Sequence, residues 1–220
     1  MNYNYEYDRF ERVSLTIFTL KKIGIKGEIA LVVGCSYGFE VEALYKYGFK
    51  EVYGLDISEY AISKAKELYS EWKDKFVVGD VENIPFKDET FDFVYAADIL
   101  EHTFNPVRAL REIYRVLKPE GKVYVRVPNT FAISLYNLLP KILKKLFELT
   151  GHNYNPHDPT HYSELPFYRW EYFFMMIGFK YKRLKIEEIY LRGSKRILGK
   201  AITIEKPFWL QVNLHYLLVK

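Results

Sequence analysis

The segment Gly34-Cys35-Ser36-Tyr37-Gly38 puts glycine or a small residue at alternate positions. That pattern lets a backbone turn tightly and approach a ligand closely. A helix starting behind it would present free N–H groups and positive potential to an anion. Asp56 follows about 20 residues later, at the spacing where a carboxylate can accept both hydroxyls of a ribose. Asp80, within Gly79-Asp80-Val81, can accept a hydrogen bond from an adenine amino group. Each acid alone could simply cap a helix. A tight loop and two acids after three successive strands together point to one adenosine ligand. A dinucleotide fingerprint needs a third glycine five residues after the first. Phe39 holds that position, so the loop suits a mononucleoside with a carboxylate tail better than a pyrophosphate.

The residues able to move a proton near neutral pH are histidines. The candidates are His102, His157 and His161, and each could equally serve as a hydrogen-bonding support for its loop. The four-residue spacing of His157 and His161 on a loop does not favour a metal pair, so no metal is expected. The single cysteine, Cys35, excludes an intramolecular disulfide and a multi-cysteine zinc site and fits a reducing compartment. Its place after Gly34 puts it beside the nucleoside rather than in a nucleophile's role.

These residues need a frame, and the apolar pattern supplies one. Residues 29–34 (IALVVG) form a continuous apolar run, as expected of a strand buried on both faces. The spacing predicts a helix over 39–47, a strand over 51–55, and a helix over 59–70 with Ser58 as N-cap. Further strands are predicted at 75–78, 91–96 and 122–127. The helix opened by Asn105-Pro106 carries Val107, Leu110, Ile113, Tyr114 and Leu117 on one face, and Pro119 with Gly121 ends it. Strand and helix thus alternate in the manner of a parallel sheet with right-handed crossovers.

After Asn129 the rhythm changes. Residues 131–149 read as a helix kinked at Pro140, 151–163 as a polar loop, and 165–177 as a helix closed by Gly178. Strands are expected at 179–189 and 212–219 around a basic stretch at 191–206. Two strands with no helix between them predict an antiparallel end to the sheet.

With these motifs in place, the chain resembles the class I S-adenosylmethionine-dependent methyltransferases over most of its length. The loop is similar to that family's glycine motif, with Ser36 replacing the middle glycine, and Asp56 matches its ribose-binding acid. Gly79-Asp80-Val81-Glu82-Asn83-Ile84-Pro85-Phe86 is similar to the segment whose acid and next residue contact adenine. Phe91-Asp92-Phe93-Val94, Leu100-Glu101-His102, Leu117-Lys118-Pro119-Glu120-Gly121 and Val127-Pro128-Asn129 follow the family's later motifs in order. The family usually carries an acid two residues before the first loop glycine to help hold the methionine end; here that position is Val32.

The resemblance implies a doubly wound α/β domain with a seven-stranded, mostly parallel sheet and an antiparallel last strand. It implies S-adenosyl-L-methionine as cofactor and S-adenosyl-L-homocysteine as product. Gly34, Cys35, Ser36, Gly38, Asp56, Ile57, Asp80, Val81 and Ala97 would then bind the cofactor. Asp158-Pro159-Thr160-His161-Tyr162-Ser163, before the helix ending at Ile177, is similar to a subgroup with a helical insertion that encloses small acceptors, including lipid-linked and saccharide compounds. The chain accordingly reads as a single methyltransferase domain over 1–220. A cap insertion lies at 130–163 and a second, basic and apolar insertion at 190–211.

Composition narrows the partners. The 220 residues are 49% hydrophobic and 27% charged, which excludes a disordered chain. The net charge of +4 shows no clustered basic stripe, so nucleic acid is not expected. The motif that methyltransferases of planar amines use is also absent at Val127-Pro128-Asn129 and at Tyr95-Ala96-Ala97-Asp98. No leader order and no long apolar run appear, so a cytoplasmic location is expected. Wealth in Lys, Glu, Ile and Tyr leans toward a thermophilic source. The basic stretches around 141–145 and 192–200 either face solvent or meet an anionic surface. The main alternative to an enzyme is a non-catalytic cofactor-binding sensor or scaffold, which Val32 favours; a nicotinamide oxidoreductase ranks last.

Overall fold

The computed structural model describes residues 5–130, 160–184 and 213–220. Seven strands form one sheet: β1 (Ile29–Val33), β2 (Glu51–Asp56), β3 (Phe76–Val78), β4 (Phe91–Ala97), β5 (Leu117–Pro128), β6 (Lys180–Leu184) and β7 (Asn213–Val219). Their order is β3-β2-β1-β4-β5-β7-β6. The first five run parallel, and β7 lies antiparallel between β5 and β6. This is the expected seven-stranded sheet. Its reversal falls at β7, the last strand in the chain.

Strand alternation divides the core. Ala30 and Val32 of β1 face one layer with Phe93, Tyr95 and Tyr124, and Leu31 and Val33 face the other with Val94, Val123 and Val125. Both faces of the central strands are therefore dry, which is why β1 reads as an unbroken apolar run rather than an alternating one. Helices α2 (Phe39–Tyr47) and α3 (Glu59–Leu68) cover the first face, through Val41, Leu44, Ile62 and Ala65. Helices α4 (Pro106–Val116) and α5 (Phe167–Ile177) cover the second, through Leu110, Ile113, Trp170 and Phe174. The predicted caps are in place: the Ser58 hydroxyl accepts from the Ala61 amide, and Asn105 Oδ1 accepts from the Arg108 amide.

Two differences from the sequence reading have physical causes. Helix α1 (Tyr5–Ile23) was not anticipated, because its buried side includes Thr16 and Thr19 alongside Val13, Leu15 and Leu20, which blurs the apolar stripe. It is held on α2 by ion pairs, Arg9 with Glu42 and Arg12 with Glu40. The fifth strand begins at Leu117, not Lys122. Phe91 pairs with Leu117 and Phe93 with Lys122, so the turn Lys118–Gly121 bulges out of a strand rather than separating a helix from one.

Smaller shifts lie at element ends. The third helix stops at Leu68, and a 3-10 turn over Ser70–Lys75 leads into β3. The kinked helix expected at 131–149, nearly all of the 130–163 insertion and the whole of the 190–211 insertion lie outside the described residues. No helix among the described residues is long and apolar enough to cross a membrane.

Candidate active site

Parallel register brings the tips of β1 to β4 to one edge. Val33 pairs with Leu55, Asp56 with Val78, and Val32 with Tyr95. Gly34, Asp56, Gly79 and Ala97 therefore emerge side by side. This is the crevice beyond the carboxyl ends of the strands, where open α/β sheets take their ligands.

The first loop is fixed by backbone bonds. The Gly34 and Cys35 amides both donate to the Leu55 carbonyl, at 2.8 and 3.0 Å. Gly34 sits at φ +70° and Gly38 at φ +88°, conformations that disfavour a side chain. A Cβ at Gly34 would stand 2.9 Å from Ile99 Cδ1, and one at Gly38 2.9 Å from the Phe76 ring. Ser36, in the middle-glycine position, also adopts a left-handed conformation at φ +45°. Its amide donates to Asp56 Oδ2 at 2.8 Å, while the Ser58 amide donates to Oδ1 at 2.9 Å. Asp56 thus locks the loop, and each carboxylate oxygen keeps a second lone pair that could take a ribose hydroxyl.

The other predicted cofactor residues fall on this edge with different contributions. Ile57 is 72% exposed next to Asp56, an apolar side chain left where a planar base could cover it. Asp80 accepts from the Glu82 amide at 2.8 Å, so its carboxylate also shapes the turn that carries it. Val81 turns its side chain into the core, and only its backbone can reach a ligand. Cys35 does the same: its Sγ packs against Gly54 beneath the loop, and burial, with Asp56 next, pushes its thiol pKa well up. Both effects disfavour the thiolate, and Cys35 offers the crevice only its main chain. Phe39, in the third-glycine position, is buried against Val13 and Ala43 under α1.

Beyond β4 the histidine candidates meet. His102 closes the 3-10 turn Leu100–His102, and its Nδ1 lies 3.1 Å from both the carbonyl and the hydroxyl oxygen of Thr160. The rings of His102 and His161 stand edge to face, with centroids 4.7 Å apart. His161 Nδ1 lies 2.6 Å from Glu164 Oε1. Two further bonds stitch the segments together, the Ser163 amide to the Glu101 carbonyl and the Ser163 hydroxyl to the Thr103 carbonyl, both at 2.9 Å. His157 lies outside the described residues.

One residue here was not among the sequence candidates. Glu101 is only 2% exposed, and its Oε2 has no hydrogen-bond partner among the described residues. Burial first, and then the neighbouring Asp98 carboxylate, push its pKa up to about 8. Asp98 itself is gripped by both arms of Arg126, which outweigh its own burial and hold its pKa below the ordinary carboxylate value. One ligand atom each of Glu101, His102 and His161 lies within 4.8 Å of the others. The sequence signal was the acid's place beside His102; its burial was not readable there.

Val32 is buried among Leu20, Val41, Tyr95 and other apolar side chains. The position that usually carries an acid thus belongs to the core layer beneath the loop.

Comparison with known proteins agrees with this geometry. Residues 31–125 match the family described as Methyltransferase domain. The chain is 39% identical over 107 residues to cycloartenol-C-24-methyltransferase 1 of Oryza sativa subsp. japonica, covering 46% of this chain and 31% of that protein. It is 42% identical over 105 residues to a sterol 24-C-methyltransferase of Gibberella zeae, covering 45% of this chain and 27% of that protein. The chain spans about a third of the length of these two relatives. Among solved structures, a SAM-dependent methyltransferase of Thermotoga maritima, described as a possible histamine N-methyltransferase, superimposes with a TM-score of 0.64 at 18% identity. That match covers 98% of this chain and 95% of the other, and it shows a shared fold. The tight first loop and the sheet order fit the matched segment: residues 31–125 carry a methyltransferase domain, for which S-adenosylmethionine is the cofactor.

Proposed function

We propose that the protein transfers the methyl group of S-adenosylmethionine to an oxygen or nitrogen of a small, or a lipid- or saccharide-linked, acceptor. The observation that carries this reading is the meeting of His102 and His161 beside the cofactor edge, next to an exposed aromatic pair. Phe104 and Tyr162 are 80% and 56% exposed and stack with centroids 4.5 Å apart. Large apolar rings left in water beside titratable groups suit an acceptor with an apolar or saccharide face.

The transfer is an in-line displacement. A lone pair of the acceptor forms the new bond to the methyl carbon, and the pair of the breaking carbon–sulfur bond stays on sulfur, leaving S-adenosylhomocysteine. Because the sulfonium is already activated, the chain's work is positioning, exclusion of water and removal of the acceptor's proton. Gly34 to Gly38, Asp56 and Ile57 would hold the nucleoside, and Asp80 and the Val81 main chain the adenine edge. His102 or His161 would take the proton. The 130–163 insertion would enclose the acceptor, and the basic stretches at 141–145 and 192–200 would approach an anionic headgroup or membrane surface.

The relatives named for sterols support an apolar acceptor, although their match covers less than half of this chain. A radiolabelled-methyl screen over lipid, saccharide and RNA extracts tests the proposal. Label should enter the lipid or saccharide fractions, and Phe104→Ala should raise the acceptor KM with little change in cofactor affinity. Label confined to RNA would overturn the acceptor class. Cofactor binding without transfer to any fraction would favour the sensor or scaffold reading, for which the apolar Val32 is the specific observation.

A further inference from the structure

We infer that Glu101, His102 and His161 form a binding site for a divalent transition cation at the acceptor side of the crevice. The inference deepens the proposed function, since it names what handles the acceptor atom, and its location beside the cofactor rests on that reading.

Three observations carry it. The first is composition and distance: one carboxylate and two imidazoles, with one ligand atom each inside 4.8 Å. A cation with bonds of about 2.1 Å holds its ligand atoms roughly 3–3.5 Å apart. The set lies near that spacing and would have to draw together slightly to hold a cation. The second is Glu101 Oε2, a polar atom sealed from solvent with no hydrogen-bond partner among the described residues. A buried polar group is expensive to leave unpaired, and a cation at this point would satisfy it. The third is the surroundings of the two rings. His102 Nδ1 faces the Thr160 carbonyl and hydroxyl, and His161 Nδ1 faces the Glu164 carboxylate. An outer carbonyl or carboxylate on one ring nitrogen is the usual arrangement of a metal-bound histidine, because it sets the tautomer and directs the other nitrogen at the metal.

Two imidazoles and one carboxylate suit borderline cations such as Zn²⁺, Mn²⁺, Fe²⁺ or Co²⁺ better than Mg²⁺ or Ca²⁺, which prefer all-oxygen shells. Three protein ligands also leave coordination positions open toward the crevice. A hydroxyl of the acceptor bound there would lose its proton to water more readily. The cation would then do what a free imidazole base does in the simpler reading.

The test uses the full-length chain without an affinity tag and needs no acceptor. Co²⁺ is titrated while its visible d–d absorption is followed, with Zn²⁺ as competitor. One equivalent should bind with a spectrum of nitrogen and oxygen ligation, and Zn²⁺ should abolish it. Glu101→Gln, His102→Ala and His161→Ala should each weaken Co²⁺ binding at least tenfold. Calorimetry with S-adenosylmethionine is run on the same preparations, and unchanged affinity there confirms that a variant is folded. Absence of a d–d spectrum, or equal Co²⁺ affinity in all three folded variants, would overturn the site. If Co²⁺ binding fails while S-adenosylmethionine still binds, the metal inference falls and the methyltransferase reading stands. If neither binds, the proposed function falls with it.

Discussion

The Ser36 amide donates to Asp56 Oδ2 at 2.8 Å, so the carboxylate that ends the second strand also fixes the loop that ends the first. Under the proposed function Asp56 would hold the ribose hydroxyls as well. Asp56→Ala should weaken S-adenosylmethionine by at least tenfold from the micromolar affinity expected, about 8 kcal/mol. Calorimetry reads this directly, and unchanged affinity would remove the ribose assignment.

Ser36 sits at φ +45°, where an L-residue is strained by about 1–2 kcal/mol. Ser36→Gly relieves that strain but also loosens the unfolded chain. The expected net gain is about 0.5–1 kcal/mol in urea unfolding. A loss of stability would mean that the serine side chain makes contacts outweighing the strain.

Gly38 has the opposite sensitivity. A methyl group there meets the Phe76 ring at 2.9 Å from a backbone at φ +88°. Gly38→Ala should cost about 2–4 kcal/mol, combining backbone strain with overpacking. It should weaken the cofactor as well, because Gly38 caps the N-terminus of α2.

Glu42 gives a pH dependence with a definite sign. Burial pushes its pKa up, but hydrogen bonds from Arg9, Lys46 and Tyr69 prevail and hold it at about 2. An unfolded glutamate titrates near 4.3. The stabilisation is thus fully present above about pH 5 and is lost as pH falls through about 2. Arg9 and Lys46 are partly in water, which reduces the effect to about 1–2 kcal/mol. Wild type should lose that much more than Glu42→Gln between pH 6 and pH 2.5 in denaturant titrations. Parallel curves would show that the ion pairs contribute nothing.

Anionic liposomes at physiological salt should retain the protein if the basic stretches at 141–145 and 192–200 meet a membrane surface. Passage of the protein unretarded would end that idea.

The sheet and the edge where its strand tips meet were legible because burial on both faces writes itself into Ile29–Val33 as an unbroken apolar run and into Phe91–Ala97 as a nearly unbroken one. Asp56 was legible because strand tips in such a sheet fall at regular intervals. Side-chain direction was not. Nothing in the order of letters says that Cys35 and Val81 turn inward while Ile57 turns out. Nor does it say that Glu101 lies in a dry place, since an acid beside a histidine ordinarily faces water. His102 and His161 could be named one by one, but their contact is a tertiary fact created by the return of the chain at Thr160. Helix α1 escaped because two threonines interrupt its buried side and because ion pairs do part of the holding.

That return has a consequence for how such a protein diversifies. Thr160 and Ser163 clasp the 101–103 turn, and Pro128 is held at the other end by its pairing with Asn213. Under the proposed function, the peptide that joins these two anchorages would be exchangeable as one cassette without disturbing the nucleoside cradle. A change of acceptor need not require relearning how to hold the methyl donor.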